Sequence, residues 1–186
     1  MCYSRRAWTL VELMVVLVIL GTLAALVMPL LSGSIEETKY RTTLINMHRV
    51  RDAIMGTSEQ PGYLADVGAL PLTLDGLHNQ PVGVLAWDRN TRRGWNGPYL
   101  TGTTIRYLAD EFPYGVAGDL AVADGWGWPI ILQYPGLDPT NPVVKKHARL
   151  VSLGPNGQLE TPLDLLPSPA ALGDDTILFL YQVNWP

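Results

Sequence analysis

The sequence has a single cysteine, Cys2, so no internal disulfide can form and none of the cysteine-based metal spacings can be built. Its three histidines, His48, His78 and His147, are scattered and fall in no His-Glu-x-x-His pattern. No Gly-x-Ser-x-Gly elbow or phosphate-binding glycine loop occurs, which leaves catalysis without a foothold. Gly125-Trp126-Gly127 lacks the third glycine and the following helix of a dinucleotide fingerprint. Positive charge is also sparse. Lys and Arg number 13 against 17 Asp and Glu, the net charge is −4, and no basic stripe with interleaved aromatics disposes the chain to bind nucleic acid. Arg89, Arg92 and Arg93 read most simply as a solvated loop, with salt bridges between subunits as the alternative use.

Charge of either sign is missing altogether from residues 13–35. These 23 residues span roughly 34 Å as a helix, enough to cross the hydrocarbon core of a bilayer. Arg5 and Arg6 precede the run and Glu36 and Glu37 follow it, so the positive-inside rule leaves the N-terminus cytoplasmic and exports the remainder. A cleaved secretory signal, with 13–20 as its apolar region and Thr22-Leu23-Ala24 as a poor cleavage site, is a competing reading. An ordinary anchor on a periplasmic binding domain is another. The apolar run outlasts the first, and Glu12 stands where a signal peptide is basic or neutral.

An ionised carboxylate in a membrane helix costs about 2.5–3.5 kcal/mol at the centre and less near the interface, so Glu12 needs a partner. Thr9-Leu10-Val11-Glu12 fits a capping box, which supplies one locally. The wider stretch, Arg5-Arg6-Ala7-Trp8-Thr9-Leu10-Val11-Glu12-Leu13, resembles the processing site of type IV prepilins, and Gly21 and Pro29 continue the resemblance into the helix. The resemblance implies that a prepilin peptidase cuts between Ala7 and Trp8 and methylates the new amine, removing a leader of residues 1–7 together with Cys2. Ala7 replaces the family's usual glycine and Trp8 its usual phenylalanine. Glu12 then becomes an intermolecular group: in the low-dielectric core of a filament, a neighbour's N-terminal amine neutralises it only at the correct stagger. Pro29 cannot donate the helical N–H and Gly21 bends or packs closely, so a kink or loosening is expected there.

Farther along, Tyr40, Leu44, Met47, Val50 and Ile54 recur at steps of three and four, marking one amphipathic face. The pattern predicts a helix over 8–56, with 13–31 as its transmembrane part, ended by Gly56 and Pro61-Gly62. Residues 57–186 then form the globular head. Within it 82–87, 130–134, 149–153 and 176–183 are expected strands, Asn156-Gly157 reads as a two-residue hairpin turn, and 139–142 and 162–169 read as extended surface loops. The expected class is α+β, with a small antiparallel sheet laid on the one-sided half of the long helix.

Four landmarks in the head, Gly94-Trp95-Asn96-Gly97-Pro98-Tyr99-Leu100, Asp124-Gly125-Trp126-Gly127-Trp128-Pro129, Ser152-Leu153-Gly154-Pro155-Asn156-Gly157-Gln158 and Asp174-Asp175, are similar in order to those of the type II secretion major pseudopilin. The resemblance implies a calcium site made by the Leu153 carbonyl, Asn156 and Asp174, with Asp175 as a helper. It also implies a homo-oligomeric filament that works with minor pseudopilins and an inner-membrane assembly platform. The subunit would start as a single-pass protein of the bacterial inner membrane, head in the periplasm, and end in a periplasmic or extracellular filament. A pilus for adhesion, motility or DNA uptake is the nearest alternative. Asn156 stands where the family usually has an aspartate, and residues 161–173 are longer than its loop.

Overall fold

In the computed structural model, which describes residues 9–102, 104–107, 117–137 and 141–183 (without the side chains of 24, 26–33 and 137), the longest element is one helix, α1, over Leu10–Met55. Its hydrogen-bonded course includes Gly21 and Pro29. The chain divides into two units, Met1–Thr38 and Lys39–Pro186, so α1 contributes to both. Within the first unit, every described apolar side chain from Leu10 to Leu20, and Leu23, is exposed. Among the described residues, no helix is long and apolar enough to cross a membrane.

The second unit is α+β. After α1 come α2 (Tyr63–Val67), a 3-10 turn over Leu74–Leu77, a short antiparallel pair of β1 (Ile105–Arg106) and β2 (Leu120–Ala121), then β3 (Ile131–Gln133), α3 (Pro142–Lys146), β4 (Arg149–Ser152) and β5 (Thr176–Phe179). Strands β3, β4 and β5 make an antiparallel sheet in that order. Leu132 pairs with Leu150 and Leu150 with Leu178; one residue on, Ile131 pairs with Val151 and Val151 with Ile177. Because strand side chains alternate in direction, each triplet belongs to one face. Leu132 and Leu150 join Met47, Val50 and Ile54 of α1 in the main core, with Leu178 packed against it, while Ile131 and Val151 join Tyr107, Ala121 and Leu153 in a second cluster. Both faces of the sheet are therefore covered, and β4 is buried throughout.

The face of α1 turned to this core is Thr43, Met47, Val50 and Ile54; Leu44 is half-buried and Tyr40 is exposed. Thr43 replaces Tyr40 because a backbone lies against that turn: Gly125 donates to Thr43 Oγ1 at 2.9 Å, and a Cβ on Gly125 would sit 1.9 Å from the Lys39 carbonyl oxygen. Asp124 fixes the loop. Its Oδ1 accepts from the N–H groups of Trp126 and Trp128, both at 2.9 Å, and its Oδ2 from Ser152 Oγ at 2.7 Å. The helix stops where Gly56 takes φ 86° and its Cα lies 2.8 Å from the place a Cβ on Gly62 would occupy. A side chain at Gly62 would strike that backbone.

Three expectations fail. Residues 82–87 are not a strand: Gly83 turns at φ 84°, Val84 N–H bonds back to the Pro81 carbonyl, and only isolated bridges at Ala86 and Asp88 remain. Asn156-Gly157 does turn the chain, but no strand follows it; β4's next partner begins at Thr176. Of the loop expected over 139–142, residues 139–140 lie outside the described residues, and Pro142 opens α3, since the Asn141 side chain caps the helix by accepting from Val143 N–H and proline is favoured at a first helical position.

Candidate functional site

Two groups of residues carry chemistry, one in each unit. At the start of α1, Thr9 N–H and its hydroxyl donate to Glu12 Oε2 at 2.9 and 3.0 Å, and Glu12 N–H donates to Thr9 Oγ1 at 3.2 Å. This is a closed capping box, and it occupies one of the two carboxylate oxygens. Glu12 is exposed, as are the apolar residues that follow it. Removing that run from water would be worth on the order of 10 kcal/mol. Ala7 and Trp8 lie outside the described residues, as does the side chain of Pro29. Gly21 has no neighbour within 4 Å of where a Cβ would stand.

In the second unit, Glu160, Asp174 and Asp175 bring carboxylate oxygens within 4.8 Å of one another. Hydrogen bonds organise one oxygen of each. Asp174 N–H donates to Glu160 Oε2 at 3.1 Å, Asn156 N–H donates to Asp174 Oδ2 at 3.0 Å, and Asp175 Oδ2 accepts from Glu160 N–H, Thr161 N–H and Thr161 Oγ1. Asp174 Oδ1 and Asp175 Oδ1 are buried and have no hydrogen-bond partner. Burial pushes the Asp175 carboxyl above its ordinary range and the nearby Glu160 charge adds to this, against the bonds from Thr161 and Glu160. Two glycines permit the approach. A Cβ on Gly154 would lie 2.4 Å from the Asp174 carbonyl oxygen, and one on Gly173 would lie 1.7 Å from Glu160 Oε2.

Hard oxygen donors with two orphaned, buried carboxylate oxygens suit a divalent cation such as calcium, which would neutralise charges that otherwise repel. Of the residues the sequence points to, Asp174 and Asp175 stand together here. Asn156 meets Asp174 through its backbone N–H, and its side-chain oxygen is taken up by Gln158 N–H at 2.6 Å. Leu153 is fully buried at the end of β4, next to Gly154. Glu160 is the member that sequence reading missed, because nothing local says which acid of a long connection folds back.

Elsewhere an open groove of about 740 Å³ is lined by His48, Arg49, Asp52, Asp66, Asn96 and Tyr99, among others. Tyr99 OH donates to Asp66 Oδ2 at 3.0 Å, and burial first of all pushes its hydroxyl up to about 12. His78 and His147 do not line the groove; each stands at the C-terminal cap of a short helical turn.

A prokaryotic N-terminal methylation motif, the type IV pilin-like signal, matches residues 4–28. Neither a curated protein nor a solved structure matches the chain.

Proposed function

We propose that a chain with this methylation signal is the structural subunit of a type IV pilin-like filament, specifically a type II secretion pseudopilus that moves proteins across the outer membrane. A prepilin peptidase cleaves after Ala7 and methylates Trp8. The run over 13–35 holds the subunit in the inner membrane, N-terminus cytoplasmic and head periplasmic, until the assembly platform extracts it into a filament that includes minor pseudopilins. The observation that carries this reading is one carboxylate, Glu12, at the head of an apolar helix whose described side chains are exposed on all sides. The order of the head landmarks favours the secretion pseudopilus over an adhesion, motility or DNA-uptake pilus. The acidic cluster is proposed to hold calcium through Asp174, Asp175 and Glu160, with the Leu153 carbonyl and Asn156 completing the shell.

The capping box makes a sharp test possible. Glutamine also serves at the third helical position of a capping box, so Glu12→Gln keeps the local bonds and removes only the charge. In the filament core the carboxylate pairs with a neighbour's amine, and deleting one partner of a buried pair costs about 3–5 kcal/mol. Glu12→Gln is therefore expected to be processed like the natural chain and to lose filaments by about a hundredfold to a few thousandfold, seen by electron microscopy of sheared fibres. Normal filament yield from Glu12→Gln would leave the residue as a helix cap and nothing more.

A further inference from the structure

Among the described residues of the second unit, two loops each display more than one large apolar side chain to solvent, and their charges are opposite. The first spans residues 80–93, where Val82 is 106% and Leu85 82% exposed. It carries three arginines, Arg89, Arg92 and Arg93, against one acid, Asp88. Backbone hydrogen bonds tie the loop together: Trp95 N–H bonds to the Leu85 carbonyl, Trp87 N–H to that of Trp95, Asp88 N–H to that of Arg93, and Arg92 N–H to that of Asp88. Asp88 accepts from Asn90 N–H and Thr91 Oγ1 and keeps its negative charge, so the three arginines still outnumber it and the loop is net positive. Arg92 holds φ 52°, a left-handed conformation uncommon for a side chain of this size, which the surrounding bonds impose.

The second loop spans residues 158–175 and holds four acids, Glu160, Asp164, Asp174 and Asp175, with no lysine or arginine. Leu163, Leu165 and Leu166 are exposed on it. A buried arginine holds them there. Arg149, fully enclosed, donates from Nε to Gln133 Oε1, from one terminal nitrogen to the carbonyls of Asp164 and Leu165, and from the other to that of Pro162. With its backbone tied inward at those points, the loop turns its leucines out. A divalent cation on Glu160, Asp174 and Asp175 would offset two of the four charges and leave Asp164, beside the leucines, unchanged.

Resting on the filament reading above, the geometry points to a second copy of this chain as the occupant of each loop: the Val82/Leu85 tip of one subunit docks on the Leu163/Leu165/Leu166 tip of the next. Self-pairing of either loop would set like charges face to face. Cross-pairing sets Arg89 and Arg92 against Asp164 while both apolar tips leave water. Since the two surfaces are different, the contact is head-to-tail, the kind that propagates as an open helical array when its rotation does not close a ring.

The test uses the full chain with Cys2→Ser, Val82→Cys and Leu165→Cys, assembled in cells and treated with a short bismaleimide. A ladder of linked subunits is expected, with either cysteine alone giving monomer. Arg89→Glu with Arg92→Glu, or Asp164→Arg alone, is expected to weaken the ladder at least about fivefold, and all three together to restore it, because the charges are then swapped and still opposed. Filaments that assemble without the Val82–Leu165 link, a ladder from one cysteine alone, a link to some other protein only, or no rescue by the triple variant would each overturn this contact and leave the filament reading standing. Absence of any filament from the natural chain would overturn both.

Discussion

Residues 10–23 and 43–54 belong to one helix and meet opposite fates. In the first stretch every described apolar side chain is exposed; in the second, Thr43, Met47, Val50 and Ile54 are fully buried. The difference is one of pattern. A helix that is apolar on every side offers no polar face to water, so its stability waits on a membrane or on other helices. A helix with one apolar stripe can be completed by its own chain, and here a three-stranded sheet completes it. One helix thus holds an exposed apolar stretch and a stripe that its own chain covers.

Truncating side chains on either side separates the two roles most strongly. Met47→Ala is expected to destabilise the head by about 2–5 kcal/mol in chemical denaturation, since it opens a cavity where Val50, Ile54 and Leu150 pack, while processing at the N-terminus is unaffected. Leu17→Ala is expected to leave head stability unchanged and to weaken only assembly. Equal effects on the head would erase the distinction.

The loop that holds the second stretch comes next in size. Asp124→Ala strands the N–H groups of Trp126 and Trp128 and the Ser152 hydroxyl, and is expected to cost about 2–3 kcal/mol by the same assay. A cation is worth slightly less. If the acidic cluster binds calcium with the 0.1–1 mM dissociation constant typical of extracellular modules, 10 mM calcium stabilises the head by about 1.4–2.7 kcal/mol. Melting of the full chain in detergent should rise by a few degrees, and Glu160→Gln should remove most of the shift. An unmoved melting curve at that concentration would leave the cluster a set of hydrogen-bonded carboxylates.

The smallest effect is a slope with pH. Burial, first among the causes, raises the Asp124 carboxyl above its ordinary value. A raised folded value means that its contribution is complete below the unfolded carboxylate value near 4 and declines as pH rises through the folded one. Asp124→Asn removes this dependence. The stability of the natural chain relative to Asp124→Asn should therefore fall from acid toward neutral pH, and a rise would reverse the assignment.

What the sequence makes legible follows from periodicity. Met47, Val50 and Ile54 lie at helical spacing and are the residues buried on α1; β3, β4 and β5 lie within the apolar runs at 130–134, 149–153 and 176–183. Tyr40 fits the same spacing but misses the core, because Gly125 brings a backbone against the helix at Lys39 and Thr43, and no period reports a contact between residues so far apart. How the 158–173 connection folds back is not legible for the same reason. Its shape comes from Arg149 reaching three of its carbonyls and from Asp175 accepting three bonds at Glu160 and Thr161, all long-range attachments of side chain to backbone or side chain. Arg149 reads in the sequence as the polar first residue of a strand; its burial is set by partners that only the fold assembles.

We propose that the exposed apolar half of α1 follows a processing site and serves assembly, beyond anchoring the chain. Mass spectrometry of the protein isolated from cells that contain a prepilin peptidase decides between the two. A chain that begins at Trp8 with a methylated amine, residues 1–7 gone, is the expected result; a chain that keeps Met1 through Ala7 in front of Trp8 would contradict it.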